Sequence, residues 1–60
     1  MIAYRVMAKG KHEKRFHCYG HHTESKHADA NAESLTKALW TKEVKVIVED
    51  GCIRETLIYK

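Results

Sequence analysis

Apolar and polar side chains alternate from the start of the chain, with Ile2, Tyr4, Val6 and Ala8 on one side and Ala3, Arg5, Met7 and Lys9 on the other. A period of two marks a strand with one buried face. Gly10-Lys11-His12 supplies a turn, after which Lys14, Phe16 and Cys18 alternate with Arg15, His17 and Tyr19 as a second strand. A three-residue loop pairs Val6 with Phe16 and Tyr4 with Cys18, keeping apolar groups together; a shorter loop would set Val6 against Arg15. The polar stretch from Gly20 to about Asp29 reads as a loop. Beyond it the period lengthens. Ala28, Ala32, Leu35, Ala38 and Leu39 form one helical stripe, with Asp29 or Asn31 as N-cap, an end near Thr41 and Trp40 at the core edge.

A second pair of β-prone runs flanks Asp50-Gly51, the dipeptide of a type I′ hairpin turn, in which both central residues take positive φ. That turn pairs Val48 with Ile53, Val46 with Glu55 and Val44 with Leu57. It assigns Val44, Val46, Val48, Ile53, Leu57 and Tyr59 to the core face. Glu55 interrupts this face and reads as an edge-strand carboxylate that reaches solvent or meets Lys14. The elements run β-β-α-β-β. A right-handed crossover then gives an α+β fold, a four-stranded antiparallel sheet of order 2-1-3-4 with one helix on one face and the other face bare.

Sixty residues make one domain, 1–60, near the lower limit at which a core holds without a partner, a metal or a second copy. Such a chain has little room for an enclosed catalytic pocket, and no Walker loop, GxGxxG, HExxH or paired-carboxylate arrangement occurs. Cys18 and Cys52 have histidines or acids nearby in sequence, but no nucleophile motif brackets either one. The expectation is a non-enzyme. The N-terminal stretch, broken by Arg5, does not read as a signal peptide, and no apolar run is long enough to span a bilayer. With two widely spaced cysteines and no CxxC, reduced thiols and a cytoplasmic location are expected.

The bare face should display Arg5, Met7, Arg15, His17, Tyr19, Lys45, Ile47, Arg54 and Ile58. Its mixture of cations and apolar groups suits a protein partner or a homodimer first, and single-stranded nucleic acid second, in line with the net charge of +3. The cluster Cys18, His21, His22 and His27 offers zinc-ligand chemistry, with Cys18-x-x-His21 at a loop-compatible spacing. Against it, the expected register turns Cys18 inward as a small hydrophobe. No cofactor is otherwise implied.

The run Ala30-Asn31-Ala32-Glu33-Ser34-Leu35-Thr36-Lys37-Ala38-Leu39-Trp40, after a hairpin and before a Val-rich strand, resembles an arrangement in small phage-encoded host-takeover proteins. Early phage inhibitors of bacterial RNA polymerase have such a strand-strand-helix-strand body, and some anti-CRISPR proteins are built similarly. The resemblance covers about residues 3–50 as a pattern; this chain differs in its net basic charge and its fourth strand. It implies stoichiometric binding to a larger machine, and no functional residue is carried over from it.

Overall fold

A computed structural model describes residues 2–60. β1 (Ile2–Gly10), β2 (His17–His22), α1 (Ser25–Lys37), β3 (Thr41–Asp50) and β4 (Ile53–Ile58) follow one another along the chain. They form one antiparallel sheet of order β2-β1-β3-β4, with α1 against one face. This is the α+β, ββαββ architecture expected from the alternation. The core is small. Among the described residues, only Val6 and Ala8 of β1, Val44 and Val46 of β3, and Ala28 and Ala32 of α1 are fully buried apolar residues, with Tyr4, Leu35, Val48 and Tyr59 packed around them. The short alanine side chains bring the helix axis close to the sheet, as the apolar stripe implies.

The first hairpin differs from expectation, and Gly20 explains why. β2 begins at His17 rather than Lys14, and it pairs Ala8 with His17, Met7 with Cys18, Val6 with Gly20 and Tyr4 with His22. The register shifts between Val6 and Met7, so Tyr19 is the extra residue of a bulge. Gly20 lies under the helix. A Cβ there would sit 2.0 Å from Nδ2 of Asn31 and 2.9 Å from Nε2 of His22. The expected register places Phe16 opposite Val6, where α1 passes; the observed one places a glycine there. Lys14 and Arg15 consequently lie in the loop, which is tied down by Gly10 N–H donating to Glu13 Oε1 at 2.8 Å.

The helix starts earlier than its stripe suggests. Ser25 opens it after Glu24, whose side chain makes no capping bond, so neither Asp29 nor Asn31 is the N-cap. It stops at Lys37 because Ala38 turns extended (φ −73°, ψ 135°). Thr41, 1% exposed, closes the end: its hydroxyl lies 2.5 Å from the Leu35 carbonyl oxygen and 2.7 Å from that of Ala38. One hydroxyl proton is thereby shared between two carbonyls at the helix end, within a buried corner. Leu39, expected in the stripe, lies beyond the helix and is exposed.

In the second hairpin, Asp50 pairs with Ile53, so Gly51 and Cys52 are the turn. Gly51 has φ 61°, and no other described residue has positive φ, which matches a type II′ turn and not the expected type I′. Val46 then faces Leu57, and Val48 faces Glu55. Relative to the expected pairing, β4 has slid by two positions. An even slip leaves each side chain on its assigned face. The helix does not reach β4, however: Ile53 and Leu57 share the core face but remain uncovered, as do all six residues of the strand.

Candidate interaction surfaces

The sheet face opposite α1 carries most of its charges in pairs. Opposite residues in an antiparallel pair share a face, so Arg5, Met7, Lys9, Lys45, Ile47, Glu49, Arg54, Thr56 and Ile58 are together there. Arg5 forms an ion pair with Glu49, and Arg54 reaches the same carboxylate at 3.6 Å; Lys9 pairs with Glu43. Hydrogen bonding from Arg5 holds the Glu49 carboxyl below its ordinary value, and Lys9 does the same for Glu43. Phe16 also lies on this face, against expectation: Lys45 Nζ is 4.0 Å and Lys9 Nζ 5.2 Å from its ring centroid. Much of the apparent positive charge here is therefore already matched.

Three residues assigned to this face lie elsewhere. Arg15 is in the β1–β2 loop. His17 is opposite the core residue Ala8, and Tyr19, the bulged residue, packs on Trp40. Conversely Cys18, expected inward, is exposed opposite Met7. The physical cause is the longer β1–β2 loop, which takes in Arg15 and moves the pairing of His17 and Cys18 by an odd three positions, exchanging their faces; the bulge at Tyr19 restores the expected alternation from Gly20 onward.

The candidate zinc ligands are divided between the two faces. Cys18 and His21 pair with Met7 and Arg5 on the bare face, while His22 pairs with Tyr4 on the helix side. His22 Nε2 is 2.9 Å from Asn31 Nδ2, and its ring makes an edge contact with that of His27, with centroids 6.4 Å apart. Among the described residues, no group of three or more His, Cys, Asp or Glu is placed to hold a metal ion.

Two exposed apolar regions stand out instead. The first is β4. Ile53 (63% exposed) and Leu57 (44%) point to the helix side and Ile58 (74%) to the other. Between α1 and β4 runs an open cleft of about 340 Å³ with Tyr4, Val46, Leu57 and Tyr59 in its lining. The Tyr59 hydroxyl crosses it to donate to Asp29 Oδ1 at 2.8 Å, and burial together with this bond raises the phenol pKa. Glu55 points into solvent from β4 and has no ion-pair partner within 4.0 Å among the described residues.

The second region lies at the opposite end of the strands from the β3–β4 turn. Pairing of Gly10 with Thr41 brings the β1–β2 loop beside Trp40, and the Lys11 N–H donates to the Trp40 carbonyl at 3.1 Å. The Tyr19 and Trp40 rings meet with centroids 5.3 Å apart at 52°, and His17 makes an edge contact with Tyr19 at 6.5 Å. A cleft of about 320 Å³ is lined by Trp40 and by Gly10, Lys11, His12 and Glu13. Tyr19 and Trp40 are separate features along the sequence, and the fold brings them into contact.

No helix among the described residues is long and apolar enough to cross a membrane. No family model matches the chain, and neither the curated proteins nor the solved structures give a match.

Proposed function

We propose that the protein is a non-catalytic binding protein that acts stoichiometrically on a protein partner, with β4 at the centre of its interface. The observation that carries this reading is an edge strand bare on both faces, with Ile53, Leu57 and Ile58 in water. Such an edge offers unpaired backbone groups as well as apolar side chains, which is what an added strand from a partner uses. The neighbouring cleft lined by Leu57 and Tyr59 gives alternate side chains of that strand a place to sit. Of the residues first assigned to the interface, Arg54 and Ile58 lie on β4, while on β3 Lys45 is opposite Ile58 and Ile47 is opposite Thr56.

A core of valine and alanine supports the same reading, because a marginal domain gains stability from whatever covers its remaining apolar surface. Both cysteines are exposed and free, a condition that fits a reducing compartment, and we place the protein in the cytoplasm. The resemblance to phage host-takeover proteins fits an activity of this kind.

Ile58→Asp tests the reading. Its side chain is outside the core, so the fold should persist while capture of a specific partner from nuclease-treated host extract is lost. Sedimentation of the purified chain over a concentration series separates a second copy from a different protein. If the aspartate variant captures the same partner and sediments identically to the parent, β4 is not the interface.

A further inference from the structure

We propose that the Trp40 end of the sheet is a binding site for single-stranded nucleic acid, distinct from β4. Two independent features converge on it. One is an aromatic shelf: Tyr19 is 43% and Trp40 44% exposed although the rings touch each other, which leaves flat π-surface open to solvent. The shelf is held from both sides. Tyr19 projects from the β2 bulge, and Trp40 is fixed between the Lys11 N–H on its carbonyl and the buried Thr41 that follows it. A preformed shelf loses little freedom when a base stacks on it.

The other feature is charge. Residues 9–17, 36–43 and 60 share this end, and they hold seven of the eleven Lys and Arg side chains but two of the eight carboxylates. Lys11, Lys14, Arg15 and Lys42 form no ion pair within 4.0 Å among the described residues, unlike Arg5 and Arg54 on the bare face. The one carboxylate in the Trp40 cleft, Glu13, is engaged by Gly10 N–H at 2.8 Å and lies 2.9 Å from His17 Nε2. Unmatched cations beside exposed aromatic rings match a phosphate backbone whose bases are free to stack. A duplex keeps its bases stacked inside, and an acidic peptide would engage the cations without covering the rings.

Trp40 is the only tryptophan, so its fluorescence is a probe within the site itself. Titration with an oligothymidylate of about 12 nucleotides, within the span that single-strand sites occupy, should quench this emission. With three phosphates engaged, log affinity should fall against log salt with a slope of about −2. Tyr19→Ala should weaken binding about tenfold or more. The double change Lys14→Glu and Arg15→Glu, confined to an exposed loop outside the core, should weaken it and flatten the slope, whereas Ile58→Asp should leave it unchanged. The proposal is overturned by an absence of quenching at low salt, or by a well-folded Tyr19→Ala variant that binds as tightly as the parent. Equal affinity for duplex DNA or polyglutamate would also overturn it, reducing the site to a general polyanion patch.

Discussion

Replacing Thr41 with valine keeps the branched shape of the side chain and removes one buried hydroxyl. That hydroxyl lies 2.5 Å from the Leu35 carbonyl oxygen and 2.7 Å from that of Ala38, in a corner where the residue is 1% exposed. Each carbonyl retains a weaker backbone donor, Ala38 N–H at 3.2 Å and Thr41 N–H at 3.3 Å. The loss is therefore that of a hydrogen bond rather than of two orphaned acceptors, about 1 kcal/mol. At an unfolding entropy of about 2 cal/mol/K per residue, this lowers Tm by roughly 8 °C for a chain this short. Thermal melts followed by circular dichroism measure it, with Thr36→Val as the control. The Thr36 hydroxyl bonds to Glu33 O at 2.6 Å in an exposed setting where water can substitute, so the control should stay within about 0.5 kcal/mol of the parent. A Thr41→Val protein as stable as the parent would refute the claim that this hydroxyl closes the helix. Because Thr41 follows Trp40 directly, the variant should also shift the tryptophan emission to the red.

Other expectations follow from the same contacts. Glu43 and Glu49 have carboxyls held low by Lys9 and Arg5, so their stabilising effect is present above the unfolded pKa and is lost as pH falls through the folded one, below about pH 4.3. A Glu43→Gln, Glu49→Gln double variant should show a flatter Tm between about pH 5 and pH 3, and an unchanged acid slope would rule the pairs out as its source. Tyr59 is shifted upward, so its contribution is present below about pH 10 and declines as pH rises further; Tyr59→Phe should remove that part of the alkaline loss. Gly51→Ala should cost about 1 kcal/mol although nothing lies within 4 Å of the new Cβ, because the penalty comes from φ 61°. A synthetic chain with D-alanine at this position should lose nothing, and equal stability of the L-alanine form would show that the turn does not need its positive φ.

The order and faces of the elements were legible because the alternation in residues 2–9 and 44–58 is strong, and because a hairpin slip of two positions does not change a face. The first hairpin was harder to read. Its register follows from where α1 crosses the sheet, and the local signal was Gly20, a strand glycine able to lie opposite the Ala28 and Ala32 stripe. The start of the helix was hidden because Glu24-Ser25-Lys26-His27 carries no apolar period and no capping bond. Exposure of β4 depends on the length and tilt of the helix, which a hydrophobic pattern does not encode. The Trp40 end was partly readable: antiparallel pairing of the first strand with the third must bring Gly10 near Thr41, and with it the run Lys11 to Arg15. What joined Tyr19 to Trp40 was the bulge, a tertiary feature.

The valine and alanine core has a consequence for temperature. Unfolding a protein raises its heat capacity in proportion to the apolar surface it exposes, and here that surface is small, because Ile53, Leu57 and Ile58 are in water already. Stability should then vary little across the physiological range, with a shallow maximum and a broad melting transition. A partner strand laid along β4 would add the missing apolar burial. The same chain would then acquire a steeper thermal response in the complex than alone, so that binding would change how sharply it unfolds as well as how firmly it is held.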